Sequence, residues 1–159
     1  RICFVGPETE LAVHPDVTLW RPPPTSRPTD RNAHSVWTRI RWSTFDALLT
    51  GDATPGSTAC YPGTHKAATA DVLVLPHHGR PQPGIEALVA ALRPRLALVS
   101  AAAKDGVSAQ GRLLRRAGCA VIHTGQAGTV RVLATDPPIL RTERPVPLPP
   151  RLDGVSGVR

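Results

Sequence analysis

The 159-residue chain contains no methionine and only three cysteines, Cys3, Cys60 and Cys119. Cysteines that are few, odd in number and far apart exclude a disulfide framework and a CxxC zinc site; they read as small buried thiols. A chain that begins at Arg1 without any methionine is expected to be a piece of a longer or processed protein, and a catalytic set read from it is expected to be incomplete. Long apolar runs are missing as well. The most apolar region, Leu88 to Ala103, is broken by Arg93, Pro94 and Arg95. No stretch reaches the roughly 18 uncharged apolar residues that a transmembrane helix needs. Acidic residues are scarce, 12 against 19 lysines and arginines, which leaves a formal charge of +7 and a pI near 10.6. That balance favours an anionic partner, nucleic acid or a membrane surface, although most of the arginines are dispersed. No internal repeat is present.

Apolar residues make up 41% of the chain, enough to build a core and to exclude global disorder. The length fits one domain or part of one. Ile2 to Val5 and Val17 to Trp20 read as strands, separated from the next element by a loop holding Pro22, Pro23, Pro24 and Pro28. Ser35 to Trp42 alternates: Val36, Thr38, Ile40 and Trp42 take one face, Ser35, Trp37, Arg39 and Arg41 the other. Phe45 to Thr50 reads as its antiparallel partner and stops at Gly51-Asp52. Residues 53–70 read as a weak helix and a loop.

From Asp71 the rhythm is strand, helix, strand, helix, strand. Val72 to Leu75 is a buried strand, and Ile85 to Leu92 has helical spacing between Pro83-Gly84 and Pro94. Leu96 to Ser100 is a second buried strand. Ser108 to Ala117 is an amphipathic helix with Ser108 as N-cap and Gly118 as its stop. Ala120 to His123 and Thr129 to Leu133 are further strands joined by a turn. This order predicts an α/β sandwich with polar residues gathered at strand ends. Residues 1–136 form the domain, and 137–159 form a Pro/Arg-rich tail expected to be mobile.

Two polar clusters follow apolar strands. In Thr50-Gly51-Asp52 a carboxylate leaves its strand through a glycine and can point into a cleft; an ordinary turn uses the same residues. In His77-His78-Gly79 two imidazoles follow a buried strand, a signal for a metal site because neutral imidazole is a good zinc ligand. Packed or surface histidines are the alternative. In extended backbone adjacent side chains point to opposite faces, so one of the pair is expected to face a metal. Asp52 and one histidine can converge on one sheet edge, a donor set suited to zinc or manganese. In a two-metal site an aspartate can bridge both ions, which polarise a phosphoryl oxygen and activate a water. His14, His34, His65 and His123 are weaker candidates.

The ordered series Asn32 and Ser35, LLTGD (Leu48 to Asp52), ADVLVLPHHG (Ala70 to Gly79), LRPRLALVS (Leu92 to Ser100) and HTGQAGTVRV (His123 to Val132) resembles the metallo-β-lactamase-like domain of ComEC-type DNA internalization competence proteins. The resemblance runs from about Val13 to Leu133. It implies a partial αββα sandwich, a metal-dependent phosphodiesterase or nuclease acting on DNA, and association with a membrane channel. It implies Asp52 as the metal-ligating, catalytic aspartate, His78 as the histidine of the HHG motif with His77 second, and Arg80 and Lys104 as positions that could meet phosphate. The HxHxDH or HxDxDH signature is absent, so any further ligands are expected upstream. The GHP motif is absent too: Gly106-Val107 stands in its place, with Asp105 beside it, and Arg80 replaces the serine that usually follows HHG. These departures imply an alternative, a degenerate non-catalytic domain with a structural or DNA-contacting role. A hydrolase of small esters or lactones is a third reading. Half of such a sandwich would leave an apolar sheet face uncovered, predicting poor solubility of the isolated chain.

Overall fold

The computed structural model describes residues 10–23, 31–64, 69–102, 109–135 and 138–146. Seven strands form one mixed sheet in chain order: β1 (Glu10–His14), β2 (Val17–Trp20), β3 (Trp37–Trp42), β4 (Phe45–Leu49), β5 (Val72–Val74), β6 (Leu96–Val99) and β7 (Ala120–His123). The first four pair antiparallel through short connections. From β4 to β7 the pairing is parallel, and each parallel step needs a crossover. Helices α1 (Pro55–Thr64), α2 (Ile85–Leu92) and α3 (Ala109–Arg116) supply the crossovers. A one-turn helix, α4 (Thr124–Ala127), then leads into a separate two-stranded ribbon of β8 (Val130–Leu133) and β9 (Ile139–Thr142).

Successive crossovers of one hand, each stepping one strand further, put all three helices on the same sheet face. The core of that face joins Leu48, Leu73, Ala97 and Val121 from the strands to Tyr61, Leu88, Leu92 and Leu114 from the helices. Leu73, Leu88, Leu92 and Leu114 are fully buried, each worth about 1.5–3 kcal/mol of transfer free energy. Trp20, Trp37 and Tyr61 pack ring against ring, with centroids 4.8–5.4 Å apart. The sequence of α1, PGSTACYPGT, is poor in helix formers. It is held by packing, with Tyr61, Ser57 and Thr58 buried, and it starts with Pro55 at a first-turn position where a missing N–H costs nothing.

The alternation in β3 places Trp37 and Arg39 on the helix-covered face, where both are buried, and leaves Trp42 58% exposed on the other. The strands at Val17–Trp20, Phe45–Leu49, Leu96–Val99 and Ala120–His123 and the helix at Ile85–Leu92 follow the sequence reading. The strand expected at Ile2 to Val5 and the Ser108 cap lie outside the described residues. Two expectations are corrected. The segment after Asp136, read as a tail, contributes β9, whose Leu140 is buried. The second sheet face is not bare: the ribbon covers Phe45, Ala47, Val72, Leu96, Ala120 and Ile122. What remains partly exposed on that face is the antiparallel half, where Leu11, Leu19, Thr38 and Leu49 stand in one cross-strand row.

Candidate functional site

The four parallel strands end at the same edge, so Asp52, His77, His78, Ser100 and His123 all leave the sheet on its carboxyl side. Ligands of parallel α/β sheets bind at that edge. Two bonds lock the first two turns together: buried Thr50 donates its hydroxyl to Val74 O at 2.8 Å, and the His77 N–H bonds Gly51 O at 3.0 Å. Gly51 turns the chain at φ +56°, where a side chain would be strained.

His77, His78 and Gly79 hold successive positive φ values of 49°, 56° and 72°. Left-handed backbone costs a non-glycine residue about 1–2 kcal/mol, and histidine tolerates it better than most. The pair is therefore not extended, as the sequence suggested, but wound into a left-handed turn with its rings 6.4 Å apart. The expectation that one member faces the aspartate still holds. His78 Nε2 lies 3.4 Å from Asp52 Oδ1, whereas His77 Nε2 lies 3.5 Å from Arg80 Nη1. A guanidinium can only donate, so it engages the lone pair that His77 would need for a metal.

His78 Nδ1 is 2.7 Å from Ser100 O. A carbonyl can only accept, so Nδ1 carries a proton and Nε2 is the nitrogen free to bind. An N–H to backbone carbonyl of this kind is the usual outer support of a metal-binding histidine. The separation from Asp52 is longer than the roughly 2.7–2.9 Å of a charge-assisted hydrogen bond. Two donors of a tetrahedral zinc, with bonds of about 2.0–2.1 Å, stand roughly 3.3–3.4 Å apart. The pair thus has the spacing and the donor chemistry of one edge of a coordination shell. Both side chains are about half exposed, so a cation or substrate can reach them.

On the other side of His78 lies a cleft of about 540 Å³ that also holds Arg80, Ser100, His123 and Thr124. His123 is 3% exposed, and its Nδ1 accepts the Gly125 N–H at 3.2 Å. In the neutral ring that leaves the proton on Nε2, which is buried and has no acceptor among the described residues. A buried donor left unpaired costs about 1–3 kcal/mol. Sequence reading ranked His123 low because its burial beside β6 and α4 is a tertiary fact.

Of the residues named from sequence, Asp52 and His78 are brought together, with His77 and Arg80 adjacent. Lys104 and Asp105 lie outside the described residues. Among the described residues no group of three or more His, Cys, Asp or Glu side chains could hold a metal ion, so this edge offers two donors. No helix among the described residues is long and apolar enough to cross a membrane. Compared with protein-family models and with curated proteins, the chain shows no match.

Proposed function

We propose that the chain is part of a metallo-β-lactamase-like αββα sandwich of the ComEC type, a metal-dependent phosphodiesterase that cleaves DNA during uptake at the membrane. The observation that carries this reading is the convergence of Asp52 Oδ1 and His78 Nε2, 3.4 Å apart at the carboxyl edge of parallel strands. Those two atoms would hold a zinc or manganese ion, and a further ligand would come from beyond the described residues, since catalytic zinc usually has three. When bound, such an ion supplies Lewis acidity to a phosphoryl oxygen and to the attacking water.

The chain's own residues do the rest. Ser100 O fixes the His78 ring so that Nε2 keeps its aim. The left-handed turn presents that ring beside Asp52 rather than across the sheet. Arg80, exposed in the adjoining cleft, offers a forked donor to a non-bridging phosphate oxygen. The full polypeptide should cut duplex DNA in the presence of manganese or zinc, and Asp52→Ala should lower the rate by about a hundredfold or more. Intact DNA with either metal would overturn the proposal.

A non-catalytic DNA-contacting domain is the second reading. It is favoured by the Arg80 contact to His77 Nε2, which occupies that imidazole with a cation. Under it, DNA binding would survive Asp52→Ala and no metal would be retained.

A further inference from the structure

A second, larger cleft of about 700 Å³ opens between the loop after the His-His turn and α3. One wall is Pro81 to Gly84, and the other carries Arg112 and Arg116. These arginines are four residues apart and so about 6 Å apart along the helix axis, comparable with the spacing of successive phosphates on an extended strand. Both are exposed. Among the described residues Glu86 is the one carboxylate in the lining. Pro81 lines both this cleft and the one that holds His78 and Arg80, so the two adjoin.

We infer that this joined cleft is a track for the sugar-phosphate backbone of a nucleic-acid strand, with Arg112 and Arg116 gripping phosphates beyond the one presented at Asp52 and His78. The destination of the track rests on the phosphodiesterase reading; the polyanion site itself does not.

The wall is rigid and tied to the proposed reaction centre. Gln82 Nε2 donates to Ala53 O at 3.3 Å, the residue next to Asp52. Thr58 Oγ1, whose one proton has its shortest acceptor in Pro55 O at 2.9 Å, also lies 3.3 Å from Pro83 O and packs α1 against this wall. Gly84, at φ +88°, lies so close to α1 that an added Cβ would meet Thr58 Oγ1 at 3.0 Å and Ala59 N at 3.2 Å. A strand that follows this wall therefore passes at a fixed offset from the Asp52–His78 pair, with Arg112 and Arg116 facing it from the opposite wall. The concave placement of the arginines suits a strand rather than a flat lipid surface. Among the described residues neither cleft lining carries a Phe, Tyr or Trp for bases to stack on, so the grip is chiefly by phosphate and indifferent to sequence.

The test is equilibrium binding of a labelled single-stranded oligonucleotide in EDTA across a range of salt concentrations. Each lost phosphate contact should flatten the salt dependence by about 0.7 on a log–log plot. Arg112→Gln with Arg116→Gln should therefore reduce the slope by about 1.4 and weaken binding about tenfold at low salt. Glu86→Gln should tighten binding. Arg131→Gln with Arg141→Gln removes the same charge from the β8–β9 ribbon and should leave the slope in place. Equal loss from both double variants would reduce the effect to net charge and overturn the track. So would anionic lipid vesicles that bind with the same dependence on Arg112 and Arg116. If the α3 variants lose the slope but wild-type protein with manganese leaves DNA uncut, the phosphodiesterase reading fails and the track stands. If cutting depends on Asp52 but the slope ignores Arg112 and Arg116, the track alone fails.

Discussion

Two aspartates mark the two ends of one strand, and the protein treats them in opposite ways. Asp46, near the start of β4, is 20% exposed and receives Arg39 through both Nε and Nη2, with Arg41 Nε at 3.3 Å. Arg39 also donates from Nη1 to Tyr61 Oη at 3.1 Å and from Nη2 to Thr69 O at 2.6 Å. The Asp46 N–H goes to Asp71. Asp52, beyond the other end, is 46% exposed and meets one imidazole at 3.4 Å, on a turn whose next layer is left-handed. The closed network joins α1 to the sheet, and its burial makes it structural. In the open pair His78 stands on left-handed backbone, and strain of that kind beside an exposed carboxylate is what the proposed ligand site would account for.

The sharpest way to break this contrast is Arg39→Met. It takes the bidentate partner from Asp46, leaving it the longer contact to exposed Arg41, and removes the donor to Tyr61 Oη, and should cost about 3 kcal/mol in denaturant unfolding. Asp52→Ala should stay within about 1 kcal/mol of wild type in the same experiment, because a half-exposed pair contributes little. If Asp52→Ala were as costly as Arg39→Met, the two ends would be alike and the functional reading would lose its footing.

His77→Gly sharpens the comparison by sign. It relieves a left-handed histidine while keeping the N–H to Gly51, so stability should rise by about 0.5 kcal/mol after allowing for the freer unfolded chain. No substitution in the Arg39–Asp46 network should do the same.

The smallest effects concern ionisation far from either aspartate. Burial pushes the Cys119 thiol up to about 12. It should therefore resist a thiol-exchange reagent at mildly alkaline pH in the native protein and react once the protein unfolds. Because the unfolded thiol loses its proton first, stability should decline as pH rises above the ordinary thiol range. The Glu143 carboxylate is held below its usual range by the Thr129 N–H and hydroxyl. Its support of the β8–β9 ribbon is present above the ordinary carboxylate range and lost as pH falls below it, which amide exchange in β9 would report.

Much of this was legible in the chain. Trp37 and Arg39 alternate with Thr38 and Ile40 as a sheet with one more deeply covered face requires, and Ile85, Leu88, Val89 and Leu92 mark one helix face. Apolar strands that end in Gly51-Asp52 and His77-His78 were enough to bring those groups to one rim once the strands lay parallel. Other features depend on partners the local sequence does not name. The segment Ile139–Thr142 has little strand signal and becomes β9 through pairing with Val130–Leu133. The left-handed winding of His77 and His78 comes with a bond from His77 N–H to Gly51 O and ends at Gly79, where Val99 leaves little room for a Cβ. Nothing in the local sequence sets Arg39 apart from the other dispersed arginines; its burial comes from Asp46 and Tyr61 closing around it.

If Asp52 and His78 share a divalent cation, as proposed, the imidazole nitrogen chemical shifts will report it during a zinc titration. The account predicts that the His78 Nε2 signal moves with added zinc and that this response disappears in Asp52→Asn. A His78 signal indifferent to zinc, with the ion taken up instead by His14 or His34, would contradict it.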